Sequence, residues 1–421
     1  MKILVISRTP WNESNSFGNT FSNLFSGMED LQIYNVCCQH GNMCTDVVSA
    51  AFQMTDKSAL RSIYKRNASV GWKMDNTESN AALNAEISAS AKKNKSFFKL
   101  GIRDIIWKLS RYKKSKELAS FVSECAPDII YLPIYASGYM CDIQEYLIKK
   151  IDVPVVGHIS DDVYGYPPRC SHCERRYRSK IRKKIKRLIS KCSYLEVFAE
   201  NMKREYEGLF GVPCYVIGKG VDASVIPASI NAELSSSPKF VYTGNLGAGR
   251  YEVIAELGHA LDSVSPNATL DVYSATDLTE DMAKLFSESK SIRFMGRVGR
   301  EEVDRVQGEA DVLVHVEGFT PEAVHSARMS FSTKIIDYML KGKPIFAIGP
   351  SEVNSIELLK SNGLAVVADS REAIMSAAES LVSGGAQVEK ILFCVREYLL
   401  TKRNIRVIQK GIKERLDELV L

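Results

Sequence analysis

Short apolar runs rich in Val and Ile alternate with helix-length, polar-faced segments along most of the chain. In the first half the runs are KILVIS from Lys2, LQIYNV from Leu31, DIIYLPI from Asp128, VPVVGHI from Val153, YLEVFA from Tyr194 and VPCYVIG from Val212. In the second half come KFVYTG from Lys239, ATLDVYS from Ala268, SIRFMG from Ser291, DVLVHVE from Asp311, KPIFAI from Lys343 and GLAVVA from Gly363. Continuous apolar character marks strands buried on both faces, and helix-length spacers suit parallel crossovers. The pattern predicts an α/β chain of two doubly wound parallel sheets in tandem.

The divide falls near GKGVDASVIPASINAELSSSP, Gly218 to Pro238, which is rich in Gly, Ser and Pro and has no long apolar patterning. Residues 1–220 would form an N-terminal domain and 221–395 a C-terminal one. Past Gly385 the pattern turns helical, with Ile405, Ile408, Ile412, Leu416 and Leu419 on one stripe. The helix within 396–421 is expected to pack back on the N-terminal domain. The interval from Cys44 to Asn94 is polar and weakly periodic, so mobile loops and short helices are expected there.

Composition narrows the class. Hydrophobic residues at 45% and charged residues at 25% suit a globular protein too long for one core. The net charge of +5 is mild but uneven: Lys92–Lys116 and Arg175–Lys191 hold dense Lys and Arg with little acid. Such clusters suggest a nearby anionic surface more than a nucleic-acid domain. MKILVIS is too brief for a secretory signal and no apolar run reaches about 18 residues, so a cytoplasmic chain is expected. Ten scattered cysteines argue for free thiols. Cys170 and Cys173, with His172 between them, have metal-like spacing, but no second pair completes a zinc site, and a surface loop is the better reading.

Ligands of open parallel sheets bind beyond the carboxyl ends of the strands. After KILVIS comes a loop containing Gly18, which permits close backbone approach but lacks a dinucleotide fingerprint. After VPVVG stands His158, either a satisfied structural residue or a site residue. KFVYTG runs into GNLGAGR, where Gly244, Asn245 and two further glycines precede Arg250; the loop is either a tight turn or a phosphate cradle. SFST, Ser330 to Thr333, opens the segment TKIIDYMLK, and helix starts favour Ser and Thr as caps. The same geometry leaves free amides and a positive dipole end. Lys334 and Arg328 add cations that capping does not require and the dipole disfavours, which favours an anion site.

GNLGAGR, FMGRVGREEV, the spacing from DVLVHVE to SFSTKIIDYMLKGKPIFAIG, and GLAVV resemble the retaining family 4 glycosyltransferases of GT-B fold. The resemblance is strong from Lys239 to Ala368 and thinner before it. It implies two tandem Rossmann-like domains facing across a cleft, the first binding acceptor and the second a nucleotide-sugar donor. Asp337 matches the family's second carboxylate, which binds the ribose hydroxyls. The first carboxylate falls on Met329, a departure for which Glu317 or Glu322 would substitute, or else the sugar is gripped differently. Phe331, Ser332 and Thr333 fall where family amides meet the diphosphate. Asn245 stands where the family often has Arg, leaving Arg250 as the phosphate cation and Lys334 to restore the lost charge. His158 matches the histidine near the donor sugar, Gly18 the first loop, and Arg297 with Val298 the turn that contacts the nucleobase.

The implied activity is a hexosyltransferase using a UDP- or GDP-linked sugar, with retention, and with no metal or other cofactor. The implied acceptor is a lipid-linked glycan of bacterial surface polysaccharide. The basic segment Arg175–Lys191 has its own two readings, a solvated helix face or an anionic membrane contact, and Phe97–Lys114 could join it. Three rival classes remain: a nicotinamide oxidoreductase, disfavoured by the missing fingerprint; a GT-B nucleotide-sugar epimerase; and a non-catalytic nucleotide- or lipid-binding adaptor.

Overall fold

The computed structural model describes residues 1–74, 97–228 and 233–421. The chain divides into two compact units. The first comprises Met1–Tyr166, Cys170–Gly220 and Ile405–Leu421, and the second Pro167–Arg169 and Val221–Asn404.

The first unit is built on an eight-stranded sheet. Its strands are β1 (Lys2–Ser7), β2 (Gln32–Cys37), β3 (Val48–Met54), β4 (Gly71–Met74), β5 (Ile129–Pro133), β6 (Val155–Ile159), β7 (Tyr194–Val197) and β8 (Cys214–Val216). Their order is β4-β3-β2-β1-β5-β6-β7-β8, parallel throughout except the β3–β4 pair. The chain winds outward from β1 one way and returns to β5 to wind the other, so the switch point lies between these two strands. β5 and β6 are buried at every position, as their unbroken apolar runs predict.

The interval from Cys44 to Asn94 departs from expectation as far as it is described. It holds β3, the helix Asp56–Tyr64 and the antiparallel β4; residues 75–94 lie outside the described residues. VSAAFQM lacks the Val and Ile density that marked the other strands. It is a strand because β2 supplies its ladder from Ile33↔Val48 to Cys37↔Gln53. Tertiary pairing overrides weak local propensity here.

The second unit has a six-stranded, wholly parallel sheet: β9 (Lys239–Thr243), β10 (Thr269–Tyr273), β11 (Ile292–Gly296), β12 (Val312–Val316), β13 (Ile345–Ile348) and β14 (Val366–Ala368). Its order, β11-β10-β9-β12-β13-β14, is the Rossmann order, with the switch point between β9 and β12. The helix Gly385–Lys402 buries Val388, Ile391, Leu392, Val395 and Leu399 within this unit.

The terminal helix Ile405–Val420 belongs to the first unit and buries Ile412 and Leu416 of its predicted stripe. Gln409 Nε2 donates to the carbonyls of Leu24 and Ser26 at 3.2 and 2.8 Å. Arg415 Nη2 reaches Glu196 Oε1 at 3.0 Å, and Glu196, on β7, is fully buried. Tyr131 also donates its hydroxyl to Glu196, while Tyr215 stacks on the Arg415 guanidinium at 4.7 Å. Burial raises the Glu196 pKa, and Arg415 opposes that shift. Removing one partner leaves a buried charge uncompensated, which costs about 3–5 kcal/mol. Arg415→Ala should therefore lose that much in urea unfolding, whereas the double variant Glu196→Leu/Arg415→Met should lose clearly less.

Candidate functional site

Two loops meet at the switch point of the second sheet. The loop after β9 runs from Gly244 to Gly249, with Ala248 (φ 58) and Gly249 (φ 75) both in the left-handed region. The chain leaving β12 passes so close that a Cβ on Gly318 would lie 1.9 Å from the Ala248 carbonyl oxygen. Glycine is required there by backbone contact, whatever ligand is bound.

Arg250 begins the helix Arg250–Val264 and turns its guanidinium back across the strand ends. It donates to Val316 O at 3.1 Å, to Gly247 O at 3.4 Å and to Glu317 Oε2 at 2.6 Å. Glu317 is 7% exposed, so this is a largely buried, charge-assisted pair. Behind it lies His315, its Nε2 3.1 Å from Ser355 Oγ and 3.7 Å from Glu317 Oε1. Burial holds the His315 pKa below its ordinary value, against the pull of Glu317.

The turn Ser330–Thr333 departs from the expected cap. Thr333 has helical φ and ψ, and its side chain bonds no amide of the helix Lys334–Leu340. The amides of Ile335 and Ile336 bond the carbonyls of Ser332 and Thr333, both at 3.1 Å. Those of Phe331, Ser332, Thr333 and Lys334 have no acceptor among the described residues. Lys334 Nζ reaches Thr243 O at 3.2 Å, at the end of β9. The Thr243 hydroxyl is fixed by Gln307 Nε2 at 2.8 Å and Tyr338 OH at 2.9 Å. Burial and then repulsion from Arg250 push the Lys334 pKa down, while Glu317 and Asp337 oppose them.

Arg250, Lys334, Glu317 and Asp337 thus belong to one electrostatic cluster. Arg297 is exposed and Val298 packs on the core at the far edge, beyond β11. Met329 is 1% exposed and part of the core, so no side chain faces a ligand from that position. Of the two proposed substitutes, Glu322 is exposed and paired with Arg169 at 3.0 Å, whereas Glu317 stands beside Arg250. Gln307, Tyr338 and His315 were not singled out in the sequence because they come from three different elements. Arg403 was missed too; it is 4% exposed, bonds Tyr398 OH at 3.0 Å and lies 5.0 Å over the Phe331 ring.

In the first unit, Gly18 lies in the helix Ser16–Phe25, whose first turn is capped by Asn15. A Cβ there would meet Asn12 O at 2.1 Å, so the close approach is to its own loop. His158, on β6, is 3% exposed among Phe21, Phe198 and Tyr131, with Nδ1 3.2 Å from Tyr131 OH. Cys170 and Cys173 flank the start of the helix His172–Ile189, and no group of three His, Cys, Asp or Glu able to hold a metal occurs among the described residues.

No protein-family model matches the chain, and no curated protein matches it. Solved structures do. The Anabaena protein HepE in complex with UDP and glucose aligns over 100% of both chains at a TM-score of 0.60 and 13% identity. Sucrose-phosphate synthase from Thermosynechococcus elongatus aligns over 99% of this chain and 98% of its own at 0.61 and 12%. The apo form of the lipopolysaccharide outer core galactosyltransferase WaaB aligns over 99% of both at 0.60 and 13%. The fold is GT-B. At these identities the likeness defines architecture, and chemistry must be argued from the residues.

Burial brings the His158 pKa down to about 3, so the imidazole is neutral at pH 7. The unfolded chain takes up this proton near pH 6.5, the folded chain only near 3. Stability supplied by the neutral ring is therefore present above about pH 6.5 and lost as pH falls towards 3. Urea unfolding across that window should show His158→Phe to be less acid-sensitive than wild type.

Proposed function

We propose that this chain is a retaining glycosyltransferase of the family 4 type. It takes a hexose from a UDP- or GDP-linked donor and passes it to a lipid-linked glycan acceptor in cell-surface polysaccharide biosynthesis. The observation that carries the reading is the convergence of Arg250 and Lys334, from separate helices, on the β9–β12 switch point. Two cations that disfavour each other, beside amides without acceptors, form a site that a diphosphate would stabilise. The structures of HepE with UDP and with UDP-glucose support a UDP-linked donor.

In transfer, the bond from the sugar's anomeric carbon to the diphosphate breaks and a bond to an acceptor hydroxyl oxygen forms on the same face. The acceptor proton passes to the departing diphosphate oxygen. Negative charge grows on that leaving group, and Arg250, Lys334 and the amides from Phe331 to Lys334 stabilise it without a metal ion. The diphosphate competes with Glu317 for Arg250, and Glu317 then accepts from the sugar hydroxyls in place of the carboxylate missing at Met329. Asp337 holds the ribose. His158, neutral and buried, is not a proton donor in this scheme.

Calorimetry with UDP, GDP and ADP, with and without EDTA, tests the donor site. One nucleotide should bind at about micromolar Kd regardless of EDTA, and Arg250→Ala or Lys334→Ala should weaken it at least about tenfold. Affinity should fall as pH rises through the depressed Lys334 pKa, below the ordinary lysine value of about 10.4, and Lys334→Arg should abolish that fall. Undiminished binding by both alanine variants would remove the phosphate assignment. Turnover of the nucleotide sugar without any acceptor would point to an epimerase.

The helices Phe97–Leu109 and His172–Ile189 support a membrane-facing role. Tyr177 OH donates to Asp104 Oδ2 at 3.1 Å and joins them. The second helix buries Ile181, Ile185 and Leu188, so its apolar stripe is spent on the fold. Lys184 and Arg187 pair with Asp142 and Glu145, but Arg176, Lys180 and Lys183 stay exposed along one stripe. Beside them Ile102, Ile105 and Leu109 are 42%, 58% and 61% exposed. No helix among the described residues is long and apolar enough to cross a membrane. Each basic residue near an anionic surface adds about 1 kcal/mol. Co-sedimentation should show binding to phosphatidylglycerol vesicles and not to phosphatidylcholine. Lys180→Glu/Lys183→Glu and Ile105→Glu should each reduce it, and equal binding by all would remove this surface.

A further inference from the structure

The first sheet also has a switch point, between β1 and β5, where an open parallel sheet takes ligands. Five polar atoms of the residues around it are buried without a hydrogen-bond partner: the potential donors Arg8 Nε, Arg103 Nε and Ser137 Oγ, and the amide oxygens Asn35 Oδ1 and Gln144 Oε1, whose own NH2 groups bond strand carbonyls of β1 and β5. Arg8 directly follows β1. Ser137 is the N-cap of the helix Gly138–Ile151 that follows β5, and Arg103 comes from the helix Phe97–Leu109.

Ser137 is 3% exposed, yet its hydroxyl does not cap its own helix. Asp104 does so instead, accepting from the Tyr139 amide at 2.9 Å through Oδ1 while Oδ2 accepts from Tyr177. The Arg103 guanidinium stacks 4.6 Å from the centre of the Tyr139 ring, and the Arg8 amide donates to Tyr135 OH at 3.3 Å. Burial raises the Tyr139 pKa, and the charges of both arginines oppose that shift.

Neither arginine side chain makes an ion pair among the described residues. Asp104 also pulls on Arg103, but its oxygens are committed as described. Asp56, the other carboxylate near Tyr139, accepts from the Trp107 indole at 2.6 Å. A buried N–H donor and a buried hydroxyl without partners are costly unless something else completes them. Guanidinium forks and a helix N-terminus share one complementary chemistry, that of an oxyanion.

From this juxtaposition we infer that the β1–β5 switch point is an oxyanion subsite, and that the acceptor carries a phosphate or carboxylate held by Arg8, Arg103 and Ser137. Only the word acceptor rests on the glycosyltransferase reading. The subsite itself stands on residues of the first unit.

The test is calorimetric titration of inorganic phosphate and of glucuronate into the full chain, with glucose as the uncharged control. The second-unit site is first saturated with its nucleoside diphosphate, so that phosphate cannot be counted there. Wild type should bind at least one anion and not glucose. Arg8→Gln and Arg103→Gln should each weaken it about tenfold, Ser137→Ala about threefold, and Arg305→Gln on the second unit not at all. Arg8→Lys keeps the charge without the fork and should fall between. Should the arginine variants fail to fold, Ser137→Ala removes only an unpartnered hydroxyl and still carries the test. Absence of anion binding, or wild-type affinity in every folded variant of the three residues, overturns the subsite. If no nucleoside diphosphate binds but the anions do, the donor reading fails while the subsite stands.

Discussion

Arg250 is held at once by Val316 O, Gly247 O and the Glu317 carboxylate, and the second unit's site is organised around that hold. A long cationic side chain that forms bonds across two loops loses its freedom on folding rather than on binding. The contact of Gly318 with the Ala248 carbonyl closes the same loops from the backbone side. Lys334 then approaches from the next element and pays for its position in a lowered pKa, because Arg250 is already there. Glu317 keeps the cluster tolerable without a ligand. Its carboxylate is the intramolecular counterpart of the oxyanion that the cluster would take.

The first unit deals with buried charge differently. Glu196, Tyr131, Tyr215 and Arg415 make a network whose effect is to attach the terminal helix, the last piece of the chain, to a sheet begun at Lys2, although Arg415 Nε itself is left without a partner. His158 borders that network as a neutral imidazole among aromatic rings. At the β1–β5 switch point the polar groups are left incomplete.

Strand periodicity was legible because a doubly wound sheet buries both faces of its central strands, and burial leaves continuous apolar runs. That accounts for the six strands of the second sheet and for most of the first. It fails at β3, where Ser49 and Ala50 interrupt the run and pairing with β2 and β4 makes the strand. The site was legible where chemistry follows a strand directly, as with Arg250 after GNLGAG and Glu317 after DVLVHV. The Ser/Thr signal at Ser330–Thr333 was half misleading. Its residues do precede a helix, but the turn is closed by backbone bonds rather than by a side-chain cap.

The sequence by itself determined the fold class and which segments lie near strand ends, since both follow from local periodicity and composition. Only the tertiary structure decided that Met329 faces the core, that Glu317 rather than Glu322 joins the cations, and that Ser137 Oγ and Arg8 Nε lack partners. Those facts depend on which atoms from distant segments share a volume. Local pattern carries no record of that, because burial and pairing are properties of the packed chain.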